Sequence, residues 1–399
     1  MGPEATVARE VADALRDARP AEPGLAGGSA GLALAFDRFE TAWPGQGYGE
    51  LADDLLAATV GALERERLAA GLYDGVAGIA WAIAHLPERA GAEWLSFLDE
   101  QLDPLLLRHL GGSAWRGDYD LVSGLVGIGV YALERLNAPS GGALLHAVVE
   151  RLAELAQEIE PGVSWHRPPE LLPDWQRERF PRGYINLGLA HGVPGVIGLL
   201  GAACANGVAE DMTRPLLERA VAWLLAQDSG EAFGHWIADA EVSGPSRSGW
   251  CYGDPGVAAA LLLAARGAGR RDWEERAIAI ARRATARDRA GAGVIDTPLC
   301  HGAAGLAHIF GRLHAASGER ELGAAAAAWV DRTVAMRDKR QGIAGFPFMV
   351  PADDGALRPA AQPGLLEGAA GVALALLSAE APERASWDRF LLLSAPGLP

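Results

Sequence analysis

The chain has 399 residues, half of them apolar and 22% charged, with a formal net charge of −16 at pH 7. That balance suits a chain that buries a large core and excludes an intrinsically disordered one, while the acidic surplus disfavours a nucleic-acid backbone as partner and suits a neutral or basic peptide. The chain carries no apolar stretch of about 20 residues, the length needed for a transmembrane helix. Its first segment, MGPEATVAREVADALRDA, reads as a charged amphipathic helix without a signal-peptide core. The three cysteines, Cys204, Cys251 and Cys300, form no disulfide framework, so a cytoplasmic, reducing location with thiols free for metal is expected. Positive charge is almost all Arg, Lys339 being the only lysine, and Ala and Gly abound, as in a high-GC bacterial genome.

Along the chain, a Gly-x-x-Gly element recurs at Gly28/Gly31, Gly75/Gly78, Gly124/Gly127, Gly192/Gly195, Gly253/Gly256, Gly302/Gly305 and Gly368/Gly371. Each copy opens an apolar run such as GVAGIAWAIAHL, GLVGIGVYALERL, GVPGVIGLLGAA or GAAGVALALL. Runs that are apolar all round predict helices buried on every side. Between them lie stretches with a charged face, among them ELADDLLAATVGALERERLA, GALLHAVVERLAELAQEIE, TRPLLERAVAWLLAQD and RDWEERAIAIARRATARD. These predict outer helices, and the alternation predicts one domain over residues 1–399. Its fold is expected to be all-α, a double α/α toroid of seven inner and seven outer helices with almost no sheet. Glycine at the inner helix starts lets backbones converge where side chains collide. The longest connection holds EIEPGVSWHRPPELLPDWQRERFPRGYIN, rich in Pro, Trp and Arg, and is expected as an ordered loop over the mouth of the ring.

The residues before the first glycines are Gly27, Asp74, Ser123, His191, Tyr252, His301 and Glu367, which the repeat aims at one central space. Asp74, Ser123 and Glu367 read first as helix caps, since carboxylates and hydroxyls satisfy first-turn N–H groups. Histidine is a poor cap, so His191 and His301 ask for another role. Cys251 in SGWCYGDPG, with Cys300 and His301 in PLCHGAAG, opens two consecutive inner helices. Two thiolates and an imidazole are three ligands for one Zn²⁺ per chain, with the fourth position open as in a catalytic site. Such a site suits activation of a substrate thiol, whose free pKa is about 8.5. Cys204 sits in an apolar run and reads as a core residue.

In order and spacing, DYDLVSGLVGIG, NLGLAHGVPG, SRSGWCYGDPG, PLCHGAAG and GLLEGAAGVALALL resemble the lanthionine synthetase C family over essentially the whole chain. The resemblance implies a toroid with zinc on Cys251, Cys300 and His301, and an acid/base histidine at His191. It also implies functional roles for Asp120, Arg247 and Tyr252. Its activity is Michael-type addition of peptide Cys thiols to dehydroalanine or dehydrobutyrine, forming lanthionine or methyllanthionine rings in a precursor peptide. No kinase-like or dehydratase segment is fused, so a separate dehydratase is expected as partner. His191 is then the proton donor at Cα, and Asp120 either orients His191 or takes the thiol's proton. Arg247 holds Asp120 or the enolate oxygen, and Trp250 and Tyr252 wall the substrate pocket. Three other readings stand beside it. A thiol- or glutathione-binding relative without cyclase activity tends to carry His where this chain has Tyr252. A carbohydrate-processing toroid leaves the Cys/His set unexplained, and a bare scaffold does as well.

Overall fold

Seven helices begin at the glycine pairs and are buried almost throughout, and a second set with one charged face wraps around them. The computed structural model describes residues 2–65, 67–352 and 355–398. In chain order its helices begin with α1 (Pro3–Ala14), α2 (Ser29–Ala42), α3 (Tyr48–Arg65), α4 (Val76–His85), α5 (Pro87–Phe97) and α6 (Asp103–Leu110). They continue with α7 (Leu125–Glu134), α8 (Gly141–Leu155), α9 (Asp174–Arg179), α10 (Val193–Ala205), α11 (Glu210–Ala226) and α12 (Asp254–Ala268). The last are α13 (Arg271–Thr285), α14 (Arg289–Ala292), α15 (Ala303–Ser317), α16 (Arg320–Ala335) and α17 (Ala369–Leu377).

The inner ring is α2, α4, α7, α10, α12, α15 and α17. In α10 every residue from Val193 to Cys204 is buried, as expected for a helix without a polar face. In the outer α13 burial is confined to Trp273, Ala277, Ile280, Ala281 and Ala284, a stripe with helical period. α3, α8, α11, α13 and α16 are likewise outer. The second unit's outer place is shared by α5 and α6, joined through a π-helical turn at Leu98–Leu102. The seventh outer helix is α1, which packs against α17 and so joins the start of the chain to its last inner helix. The result is the expected double toroid.

Closure is visible in the backbone. Just ahead of each inner helix, a loop N–H donates to a loop carbonyl of the neighbouring unit. Ala26 bonds the Tyr73 carbonyl, Tyr73 that of Val122, and Leu121 that of Ala190, at 3.0, 3.2 and 3.2 Å. Ala190 bonds Cys251, Cys251 bonds Cys300, and Cys300 bonds Leu366, at 3.4, 3.1 and 3.0 Å. Leu366 then bonds Ala26 at 3.0 Å, completing a belt around one end of the ring. Glycine serves this geometry chiefly within each unit. A Cβ on Gly78 would lie 1.7 Å from the Leu72 carbonyl oxygen, and one on Gly371 would lie 1.9 Å from that of Leu365. The collisions avoided are therefore mostly with the unit's own loop rather than between converging helices.

Strands are confined to the connections. β1 (Gln157–Ile159) pairs antiparallel with β2 (Gly162–Ser164), and β3 (Ile185–Asn186), β4 (Trp236–Ala238) and β5 (Glu241–Val242) form a second small sheet. β6 (Phe348–Pro351) and β7 (Leu357–Ala360) form a hairpin. Beyond α17 the chain turns into the ring. The Phe390 and Leu391 carbonyls accept from the Tyr73 hydroxyl at 3.1 Å and the Trp250 indole at 2.8 Å. Asp388 bonds His308 on α15 at 2.8 Å, Arg389 bonds Glu134 on α7 at 3.1 Å, and Pro396 accepts from Asn206 beyond α10 at 2.9 Å. Contacts to five units around the ring place this C-terminal segment on the axis, where it forms an apolar plug beneath the belt.

Candidate metal centre

Cys251 and Cys300 occupy the same belt position in adjacent units, so the bond from Cys251 N–H to the Cys300 carbonyl sets their side chains together. Gly249 permits the third group to close in, because a Cβ there would stand 3.1 Å from both Cα and Cβ of His301. Beside it Gly253, at φ 88°, makes the turn that carries the chain from Tyr252 into α12. The two Sγ atoms and a His301 ring nitrogen all lie within 4.8 Å of one another. Hydrogen bonding from the Cys300 thiol, opposed by burial and aided by His301, holds the Cys251 thiol well below its ordinary pKa. The same hydrogen bond, with burial, pushes Cys300 well up. Burial lowers the His301 pKa, but the Cys251 thiolate outweighs it and the net shift is upward. A soft, largely buried S₂N set fits Zn²⁺, for which Cys251, Cys300 and His301 would be the ligands.

These groups open into a cleft of about 460 Å³ that is also lined by His191, Arg247, Tyr252, Asp74 and Glu367. Asp120 is fully buried behind His191, with Oδ2 2.5 Å from His191 Nδ1. Its Oδ1 accepts from the Ser123 N–H at 2.8 Å, so Asp120 both braces its loop and orients the histidine. Burial opposes both charges, yet their hydrogen bond prevails. The Asp120 carboxyl is held below its usual range and His191 is raised above the imidazole value. With Nδ1 turned to Asp120, His191 presents Nε2 to the cleft.

Several placements differ from expectation. Arg247 does not hold Asp120. The cation beside that carboxylate is Arg167, which pairs with Asp118 at 2.5 Å. Arg247 is exposed, forms no ion pair among the described residues, and its charge acts instead on Cys251, Cys300 and His301. Trp250 meets the cleft only at its floor. It is 2% exposed, and its indole anchors the plug. Tyr252 does face the cleft, with its hydroxyl accepting from the Asn186 amide at 2.8 Å. Asp74 and Glu367 make no cap hydrogen bond to α4 or α17, and burial lifts both carboxyls above the usual range. Residues 158–186 are ordered, but among the described residues they do not line the cleft. They brace it from behind through Arg167 and Asn186. Cys204 is buried on α10, away from the cluster, and burial pushes its thiol up to about 11.

Sequence reasoning passed over His235, whose ring lies 5.1 Å from that of Tyr252 and whose pKa is lowered by burial and Arg247. It also passed over Asp296, buried beside the cluster. His235 stands at no repeat position, while Asp296 lies six residues before its glycine pair, where Asp118 lies before its own, a signal that went unread. No helix among the described residues is long and apolar enough to cross a membrane.

A family model described as lanthionine synthetase C-like protein matches residues 19–392. The curated protein described as Nisin biosynthesis protein NisC, from Lactococcus lactis subsp. lactis, is 26% identical over 261 residues. That match covers 61% of this chain and 62% of the relative, less than two thirds of its length. Among solved structures, nisin cyclase superposes with a TM-score of 0.78 at 22% identity, over 97% of this chain and 96% of that one, a likeness in fold.

Proposed function

Since the chain belongs to the lanthionine synthetase C-like family, we propose that it is a zinc-dependent lanthipeptide cyclase, with residues 1–399 acting as a single domain. Its substrate is a precursor peptide whose Ser and Thr residues have been dehydrated by a separate enzyme, and it works in a reducing cytoplasm. The observation that carries this reading is the Cys251, Cys300 and His301 triad in one cleft with the His191–Asp120 pair.

In the reaction a peptide thiol loses its proton and its sulfur bonds to Cβ of a dehydro residue. The Cα=Cβ pair shifts to give an enolate, and Cα gains a proton. Zinc held by the triad supplies Lewis acidity that favours thiolate over thiol near neutral pH. Arg247, which lines the same cleft as the cysteines and has no ion pair among the described residues, offers a fork of donors to the substrate carbonyl oxygen as negative charge develops there. His191 delivers the proton to Cα from Nε2, because Asp120 fixes Nδ1 and keeps the imidazolium populated at higher pH than usual. Tyr252, held by Asn186, walls the cleft.

The test is turnover of a dehydrated, Cys-containing peptide near neutral pH, followed by mass spectrometry as loss of alkylatable thiol. The parent protein closes rings, and Cys300→Ala neither retains zinc nor closes rings above the uncatalysed rate. Zinc and thiol bound without ring closure would instead identify a thiol-binding relative.

A further inference from the structure

A second cavity at the belt end of the ring has no task in that scheme. It holds about 450 Å³ between α6 and α7 and is lined by Arg108, His109, Trp115, Arg116 and Ser123, with loop backbone and no carboxylate. Both arginines are exposed, and neither makes a hydrogen bond or ion pair among the described residues. On a chain of net charge −16, such a recess concentrates positive potential against the overall sign. The loop backbone is unclaimed as well. From Gly112 to Gly117 no N–H donates to another group among the described residues. The loop is nonetheless pinned. Trp115 Nε1 donates to the Asp118 carbonyl at 3.0 Å, the indole stands edge-on to His109 with centroids 5.2 Å apart, and a Cβ on Gly117 would meet it at 3.0 Å. The cavity adjoins the cleft of the triad through one stretch of loop, because Ser123 lines the former and Val122 the latter. That stretch is fixed by the belt, the Val122 carbonyl accepting from Leu72 and Tyr73 at 3.0 and 3.2 Å. An extended peptide, at about 3.3–3.6 Å per residue, crosses from one space to the other within a few residues.

We propose that this cavity docks a carboxylate-bearing segment of the peptide substrate, a stretch that flanks the reacting residues and is not itself modified. Arg108 and Arg116 take its side-chain carboxylates, the free loop N–H groups take its main-chain carbonyls, and Trp115 covers its apolar surface. A free anion would use the arginines alone. The row of backbone donors and the continuity with the cleft favour a peptide. The inference rests on the cyclase reading.

The test uses two synthetic peptides that share one segment with a Cys and a dehydroalanine and carry, at both ends, either a short Glu run or a matching Gln run. Fluorescence anisotropy with the full chain at low ionic strength gives Kd, and ring closure followed by mass spectrometry gives KM. The parent should bind the Glu peptide about five- to tenfold more tightly, with KM lower to match. Replacing both cavity arginines, Arg108→Gln with Arg116→Gln, should bring the two peptides within about twofold of each other. Arg271→Gln with Arg320→Gln removes the same charge from the exposed first turns of α13 and α16, at the far end of the ring, and should keep the parent's preference. Equal binding of both peptides by the parent, a preference that survives R108Q/R116Q, or equal losses in the two double variants overturns the proposal. Inorganic phosphate that competes as well as the Glu peptide, mole for mole, reduces the cavity to an anion site and overturns it too. A parent that self-associates and is dispersed by R108Q/R116Q gives the cavity to a second copy of this acidic chain, with the same result. Rings closed in both peptides without a difference in Kd remove this inference alone. Rings closed in neither remove the cyclase reading and the inference together.

Discussion

Asp120→Asn separates orientation from charge at the proton donor. Asp120 Oδ2 lies 2.5 Å from His191 Nδ1, and Oδ1 takes the Ser123 N–H at 2.8 Å. Asparagine preserves the volume and can keep the Ser123 contact, so what disappears is the negative partner of the imidazolium. A hydrogen bond to a charged group contributes about 1.5–3 kcal/mol, and its loss lowers the His191 pKa. Burial already opposes the charge on His191 and is then unopposed. A proton donor must be loaded before it acts, so the rate declines as pH rises through its pKa. In D120N that decline moves to lower pH, and with about 1.5–3 kcal/mol lost the rate near neutrality falls about 10- to 100-fold. Zinc content should hold, because Asp120 bonds His191 and Ser123 and not the cysteines. The assay is ring closure by mass spectrometry across the range in which imidazole titrates, with metal analysis of the same samples. A slower enzyme with an unmoved profile would reduce Asp120 to a loop brace, and lost zinc would tie it to the triad.

His191→Ala should retain full zinc while ring closure fails near neutral pH. Loss of metal in that variant would make His191 a ligand. Cys204→Ala should bind zinc at the parent stoichiometry, since its thiol lies on α10 away from the cluster, and metal analysis checks it. Phe390→Ala should cost about 3–5 kcal/mol in denaturant unfolding, because the ring is fully buried between Tyr73 and Trp81 at centroid distances of 5.8 and 5.7 Å. A loss under about 1 kcal/mol would mean that the plug does not support the belt.

The inner helices were legible because each advertises itself twice, by a glycine pair and by an apolar run. The triad was legible because Cys251, Cys300 and His301 stand at repeat positions. What the repeat does not encode was missed. The belt is made of backbone groups, which carry no residue preference. Nothing in the local sequence marks the plug residues from Trp387 to Leu393, and only long-range partners such as Glu134, His308 and Trp250 show where they go. Of the two roles read for Arg247, holding Asp120 or the enolate oxygen, the first is not seen, because Arg167 takes the place beside Asp120. Arg167, on the connection between α8 and α10, meets Asp118 in the loop before α7, a pairing no local spacing announces. Asp74 and Glu367 suit a cap by type, yet the inner helix starts are served by loop backbone, which leaves both carboxyls to the cleft.

The bond from Leu366 to Ala26 gives the molecule a property that linear arrays of repeats lack. In an open stack the terminal units fray first and need polar caps, and stability grows roughly unit by unit. Here no unit is terminal. The two thiols depend on a neighbour, Leu366, whose carbonyl receives the Cys300 N–H and whose own N–H is held by Ala26 near the other end of the polypeptide. A nascent chain that has released Cys251, Cys300 and His301 but not yet Leu366 therefore carries all three ligands without the frame that aligns them. Metal competence should arrive late in synthesis and all at once, when the last inner helix meets the first.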